Sequence, residues 1–159
     1  LLDHPLTLRS TPGRGSVFAV TAPLAEARLT EPPASGSVEA PLTGLRILCV
    51  DNEPIILEAL GALLSRWGMT VVTASDVESA LSAEGPFDAA LIDLHLGEGL
   101  DGLFVIETLK ARGLGHLALI SADADLALPA RAAALGAVLM SKPVKPAILK
   151  AFLSSNREK

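Results

Sequence analysis

From Gly44 onward the chain alternates short apolar runs with amphipathic stretches five times, and this alternation limits its fold more than any other feature. The apolar runs occupy 45–50, 69–73, 87–92, 116–120 and 137–140. Each is strand-sized and too short for a buried helix. Between them, Ile56, Leu60, Leu63, Leu64 and Trp67 recur at helical spacing behind Pro54. Ser75 and Glu78 have capping-box spacing ahead of a second helix. A third helix is expected over 102–111, a fourth around 126–135 with Pro129 interrupting it, and a fifth over about 146–153. Connections this short imply a parallel sheet covered on both faces. Right-handed crossovers favour a five-stranded, doubly wound α/β sheet of order 2-1-3-4-5. The first and third strands are then neighbours.

That adjacency matters because three strands stop at polar residues. The first runs into Asp51-Asn52-Glu53, the third into Asp93, and the fifth into Ser141-Lys142-Pro143. In such sheets the chemistry collects at the carboxyl ends of the strands. Asp51, Asn52 and Asp93 should therefore meet, facing Lys142, with Ser121 at the end of the fourth strand. Hard oxygen ligands of this kind suit Mg²⁺, which keeps several of its waters. A carboxylate can also attack phosphorus and form an acyl phosphate. Lys142 would neutralise one phosphoryl oxygen and Ser121 would hydrogen-bond another, because such transfer depends mostly on positioning and charge.

Composition narrows the classes. The 159 residues carry a net charge of −5, and 44–155 alone hold thirteen acids against eight bases. No basic footprint for nucleic acid is present. A hydrophobic share of 50% supports a core, but no apolar stretch approaches the roughly 20 residues of a membrane span. The single Cys49 sits inside an apolar strand and allows no disulfide framework, which fits a reducing, cytoplasmic compartment. The first residues, Leu1-Leu2-Asp3-His4, read as a piece cut from a longer protein.

Ahead of Gly44 the pattern changes. Residues 1–25 contain two alternating runs, Leu6 to Ser10 and Ser16 to Thr21, separated by Pro12-Gly13-Arg14-Gly15, a hairpin signal. Residues 26–43 carry Pro32-Pro33, Ser35-Gly36-Ser37 and Pro41 and read as a semi-stiff linker. The expected organisation is a hairpin at 1–25, a linker at 26–43, an α/β domain at 44–155 and a tail at 156–159. An isolated hairpin is marginal in water, so order in the first piece is expected only through docking on a sheet edge or on another copy.

Residues 44–155 resemble a receiver domain of two-component signalling. The resemblance rests on Val50-Asp51-Asn52-Glu53-Pro54, Asp93, Ser121-Ala122 and Lys142-Pro143. It implies Mg²⁺-dependent transfer from phosphohistidine to Asp93 as phosphoacceptor, with Ser121 and Lys142 assisting. It also implies metal ligation by Asp51, Asn52, Asp93 and the backbone carbonyl of His95, and a cis Lys142-Pro143 bond. The implied partners are a histidine kinase core or a histidine phosphotransfer protein, with a homodimer possible and no nucleic acid or membrane contact. Residues 1–25, through Leu8-Arg9-Ser10, Pro12 to Phe18 and Pro23-Leu24, resemble the last hairpin of a histidine-kinase ATPase domain. Together the two likenesses imply the C-terminal part of a hybrid sensor kinase. The glycine boxes of the ATPase family are absent, so these residues should not act as an ATP-dependent kinase.

Two departures qualify the likeness. The family usually has two acids where this chain has Asp51-Asn52, and a unit charge lost at ~4 Å with effective ε ~20 is about 4 kcal/mol before hydration offsets most of it. Weaker Mg²⁺ binding follows, and Asn52 reads equally as a cap for the helix behind Pro54. Leu139 stands where many relatives carry an aromatic switch residue. The rival reading is a degenerate receiver that acts as a phosphorylation-independent interaction module. Glu53 reads as a solvated acid, His4 and His116 as structural or exposed, and Trp67 as core or rim.

Overall fold

A computed structural model describes residues 5–21, 42–97 and 101–155. By its contacts the chain divides into two compact units, Leu1–Val38 and Glu39–Lys159.

The first unit holds an antiparallel hairpin of β1 (Leu6–Thr11) and β2 (Gly15–Val20). Leu6 pairs with Val20, Leu8 with Phe18 and Ser10 with Ser16. The turn closes through Arg14 N–H donating to Thr11 O at 2.9 Å. Gly13 sits at φ +73°, a conformation that glycine adopts without steric cost. All residues of both strands are exposed. Alternation puts Leu6, Leu8, Phe18 and Val20 on one face of the ribbon.

The second unit is a five-stranded parallel sheet built from β3 (Arg46–Val50), β4 (Thr70–Ala74), β5 (Ala89–Asp93), β6 (Leu117–Ser121) and β7 (Val138–Ser141). Its order, β4-β3-β5-β6-β7, is the expected 2-1-3-4-5. The helices are α1 (Pro54–Arg66), α2 (Val77–Ser82), α3 (Gly102–Ala111), α4 (Leu128–Ala134) and α5 (Pro146–Ser154). Side chains alternate between two cores, as a strand period of two requires. Leu48, Val50 and Ile92 face Leu103, Ile106 and Leu128, under α3 and α4. Ile47, Cys49 and Leu91 face Leu64, Leu149 and Leu153, under α1 and α5. Both faces are therefore covered, which explains why the strands read as continuous apolar runs.

Local details depart from the sequence expectation in four places. The capping box of α2 is made by Asp76 and Ser79, one residue along from Ser75 and Glu78. Asp76 Oδ1 accepts from Ser79 N at 2.7 Å, and Ser75 turns its hydroxyl onto Asp76 instead. Pro129 does not interrupt α4 but lies in its first turn, where a missing N–H costs nothing. Asn52 does not cap α1; the cap position is Glu53, without a side-chain capping bond. Leu42, two residues ahead of Gly44, is buried with Leu45 in the core under α1 and α5. Trp67 packs at the edge of that same core. His116 stacks on Phe152 with ring centroids 4.0 Å apart and donates from Nε2 to the Phe152 carbonyl, a structural role. His4 lies outside the described residues.

Candidate functional site

The carboxyl ends of β3, β5 and β7 converge on one ammonium group. Lys142 follows β7 immediately, and its Nζ lies 2.8 Å from Asp93 Oδ1 and 3.1 Å from Asp51 Oδ2. Asp93 is the last residue of β5, paired with Ile120 of β6, and Asp51 follows β3 directly. Both acids are almost fully buried, at 2% exposure for Asp51 and 3% for Asp93. Each carboxylate also receives a loop amide on its other oxygen. Glu53 N donates to Asp51 Oδ1 at 2.9 Å, and His95 N donates to Asp93 Oδ2 at 3.1 Å. These are charge-assisted bonds, which hold the two acids in fixed orientations.

Lys142 is the titratable group of the cluster with a clear shift. Burial pulls it down, but hydrogen bonds and charges from Asp93 and Asp51 outweigh that and leave it above its ordinary value. The lysine stays charged, against two carboxylates. The Lys142-Pro143 bond is cis. Lys142 N donates to Ser121 O at 2.8 Å, which ties the end of β7 to the end of β6. Ser121 is buried, and its Oγ accepts from Asp123 N at 3.0 Å. A hydroxyl that accepts in this way keeps its own hydrogen to donate.

The remaining sequence candidates divide. Asn52 and Glu53 are both exposed, and Glu53 meets the cluster through its amide. His95 is exposed as well, but its side chain has a partner that sequence reasoning missed. Its Nε2 lies 2.9 Å from Asp123 Oδ2. The signal was available: Asp123 follows Ser121 by two residues, as His95 follows Asp93, and β5 and β6 are neighbouring strands. Ala122 is exposed. Leu139 is half-buried and packs against the core under α3 and α4.

Glycine is required at one position close to the chemistry. Gly102 opens α3 against the backbone of Asp93, and a Cβ there would collide with the Asp93 carbonyl oxygen. Gly102 N donates to Leu94 O at 2.8 Å, so the approach is held by a hydrogen bond.

Residues 47–154 match the family model described as the response regulator receiver domain. The chain belongs to that family. The receiver is similar to the sensor protein TorS of Escherichia coli (strain K12), 31% identical over 156 residues that cover 94% of this chain and 17% of that protein. It is also similar to the Regulator of RpoS of the same organism, 34% identical over 109 residues, covering 66% of this chain and 32% of that protein. The chain thus spans well under half the length of these relatives. Among solved structures, a signal receiver domain of an HD domain-containing protein from Pseudomonas fluorescens Pf-5 superposes with a TM-score of 0.65 at 29% identity, covering 72% of this chain and 95% of that one. This is therefore a receiver domain of two-component signalling, with the fold expected from its strand and helix pattern. No helix among the described residues is long and apolar enough to cross a membrane.

Proposed function

We propose that the receiver accepts a phosphoryl group from phosphohistidine onto Asp93. The observation that supports this reading is the buried Asp51–Lys142–Asp93 cluster, in which one carboxylate ends a strand and the ammonium already touches it. In the transfer, an Asp93 carboxylate oxygen bonds to phosphorus as the phosphorus–nitrogen bond of the donor breaks. The bonding pair returns to the donor imidazole, and an acyl phosphate remains on Asp93. Lys142 neutralises a phosphoryl oxygen, and the Ser121 hydroxyl donates to another.

The donor set fits a hard divalent cation. Two carboxylates face one ammonium, and both keep lone pairs that its hydrogen bonds leave unused. Among the described residues no three His, Cys, Asp or Glu side chains form a metal site. Asp51 and Asp93 would therefore be completed by the Asn52 amide, the His95 carbonyl and water, which suits Mg²⁺. When bound, Mg²⁺ supplies charge neutralisation for the transferring oxygens. The exposure of Asn52 favours weak binding.

The wider context is also a proposal. The match to a sensor protein extends well beyond the receiver itself. This supports an origin as the C-terminal part of a hybrid sensor kinase, with the hairpin as the remnant of an ATPase domain, then a linker, and a receiver whose core begins at Leu42 rather than at Gly44. A kinase core or a histidine phosphotransfer protein would be the donor, in a cytoplasmic setting.

The deciding experiment incubates the full chain with acetyl phosphate and Mg²⁺ and follows the phosphoryl mass increment and its sensitivity to hydroxylamine. Wild type should label and Asp93→Asn should not. Undiminished labelling of Asp93→Asn would overturn the assignment. A wild type that never labels would favour the phosphorylation-independent interaction module, the reading that the exposed Asn52 supports.

A further inference from the structure

The mouth of the site carries bonds that the transfer itself does not use. His95 and Asp123 lie on loops leaving the neighbouring strands β5 and β6, and His95 Nε2 is 2.9 Å from Asp123 Oδ2. A carboxylate oxygen accepts, so the imidazole Nε2–H donates. Both residues are also tied inward through their backbone. His95 N donates to Asp93 Oδ2, and Asp123 N donates to Ser121 Oγ. A continuous path therefore runs from the Asp93 carboxylate to the Ser121 hydroxyl, and the His95–Asp123 bond carries it from one loop to the other.

We infer that this bond is a latch that couples the state of Asp93 to the loop between β6 and α4, with His95 acting as a positioning residue. The inference rests on the phosphoacceptor reading of Asp93. A phosphoryl group there brings negative charge and new acceptor oxygens. It competes for the His95 amide at one end of the path, and at the other it draws the Ser121 hydroxyl toward itself through the hydrogen that Asp123 N leaves free. A shift at either end is passed through the latch to Asp123 and on to Asp125, whose Oδ1 accepts from Ala127 N just ahead of α4.

The bland alternative is an incidental surface pair, since the two side chains are 66% and 42% exposed. Exposure limits the strength of the latch, because pairs of this kind bias an equilibrium by no more than about fivefold. What separates it from an incidental pair is that both partners' amides already bond the groups the chemistry uses. A latch of a few-fold also releases readily, as a signalling loop requires.

Amide hydrogen exchange at Asp123 tests the latch in the full chain, using His95→Phe, Asp123→Ala, the double variant and His95→Gln. In the resting protein either single change should speed exchange of the residue-123 amide about two- to fivefold, and the double variant should add nothing further. In the acetyl phosphate-labelled protein, normalised to the labelled fraction, phosphorylation should alter exchange at Asp123 in wild type. That response should shrink by at least half in His95→Phe and recover in His95→Gln, which keeps a donor. Additive effects in the double variant, or a full response in His95→Phe, would overturn the latch while leaving the phosphoacceptor reading intact. Absence of any label on wild type would overturn that reading, and the coupling with it, before a variant is made.

Discussion

Lys142 has one charge and two buried acidic partners, and this imbalance makes opposite demands on the cluster. As a cation it holds Asp51 and Asp93 together, and as a competitor it occupies oxygens that a divalent cation would use. Lys142→Met should therefore tighten Mg²⁺ binding, on the order of tenfold, because a unit charge a few ångströms away is removed and hydration offsets only part of the change. Titration of backbone amide shifts would show it, and unchanged or weaker affinity would place the lysine outside the ion's field. Asn52→Asp should tighten Mg²⁺ in the same assay if its side chain reaches the ion. The pH dependence has a definite sign. The folded state holds Lys142 above its ordinary value of 10.5, so its contribution to stability is complete below that value and is lost as pH rises through the folded pKa. Above about pH 10 the urea midpoint of wild type should fall more steeply with pH than that of Lys142→Met. Parallel curves would contradict the assigned shift.

At the scale of the element, the site depends on where helices and strands begin and end. Helix α3 can start against Asp93 only because residue 102 is glycine. Gly102→Ala should destabilise the receiver by about 1–3 kcal/mol, the usual cost of forcing an extra carbon into a closed space. A urea midpoint equal to wild type would show that α3 moves aside without cost. Strand β3 offers a second test. Burial pushes the Cys49 thiol up to about 12, and its side chain is fully covered in the core under α1 and α5. A thiolate is the reactive form, so a disulfide reagent should leave the folded protein unmodified and react quantitatively in urea. Rapid reaction in native buffer would mean that β3 opens far more often than a central strand should. Proline acts at the same scale. Pro54, Pro129 and Pro146 each sit in the first turn of a helix, which places the starts of α1, α4 and α5 without a capping side chain.

For the whole molecule, the question is where the independent unit begins. Contacts divide the chain after Val38, and Leu42 is buried with the core under α1 and α5. Deletion of residues 1–38 should leave cooperative unfolding and Asp93 labelling essentially unchanged. Deletion of residues 1–43 also removes Leu42, and burial of a leucine side chain is worth roughly 1.5–3 kcal/mol. The longer deletion should therefore unfold at lower urea while keeping the same slope. Equal midpoints for the two truncations would show that Leu42 adds nothing. Loss of folding on removing 1–38 would show that the hairpin unit supports the receiver.

The sequence by itself determined the strand order, the two-faced core and the strand ends where Asp51, Asp93, Ser121 and Lys142 gather. Those follow from local periodicity and short connections, which a chain expresses without knowing its distant neighbours. Tertiary structure alone decided how the polar groups divide their bonds. Lys142 and Asp51 are 91 residues apart in sequence, and which oxygen the ammonium takes depends on the register of four strands. The same holds for His95 and Asp123, 28 residues apart, whose equal offsets from adjacent strand ends became a bond only once β5 and β6 were aligned. Asn52 and Ser75 went the other way. Each had the right spacing for a cap, but the helix starts fell at Glu53 and Asp76, where the backbone turned first. A helix buries the same apolar face whether its first turn begins one residue earlier or later, whereas a capping hydrogen bond with a reach near 3 Å does not tolerate that displacement.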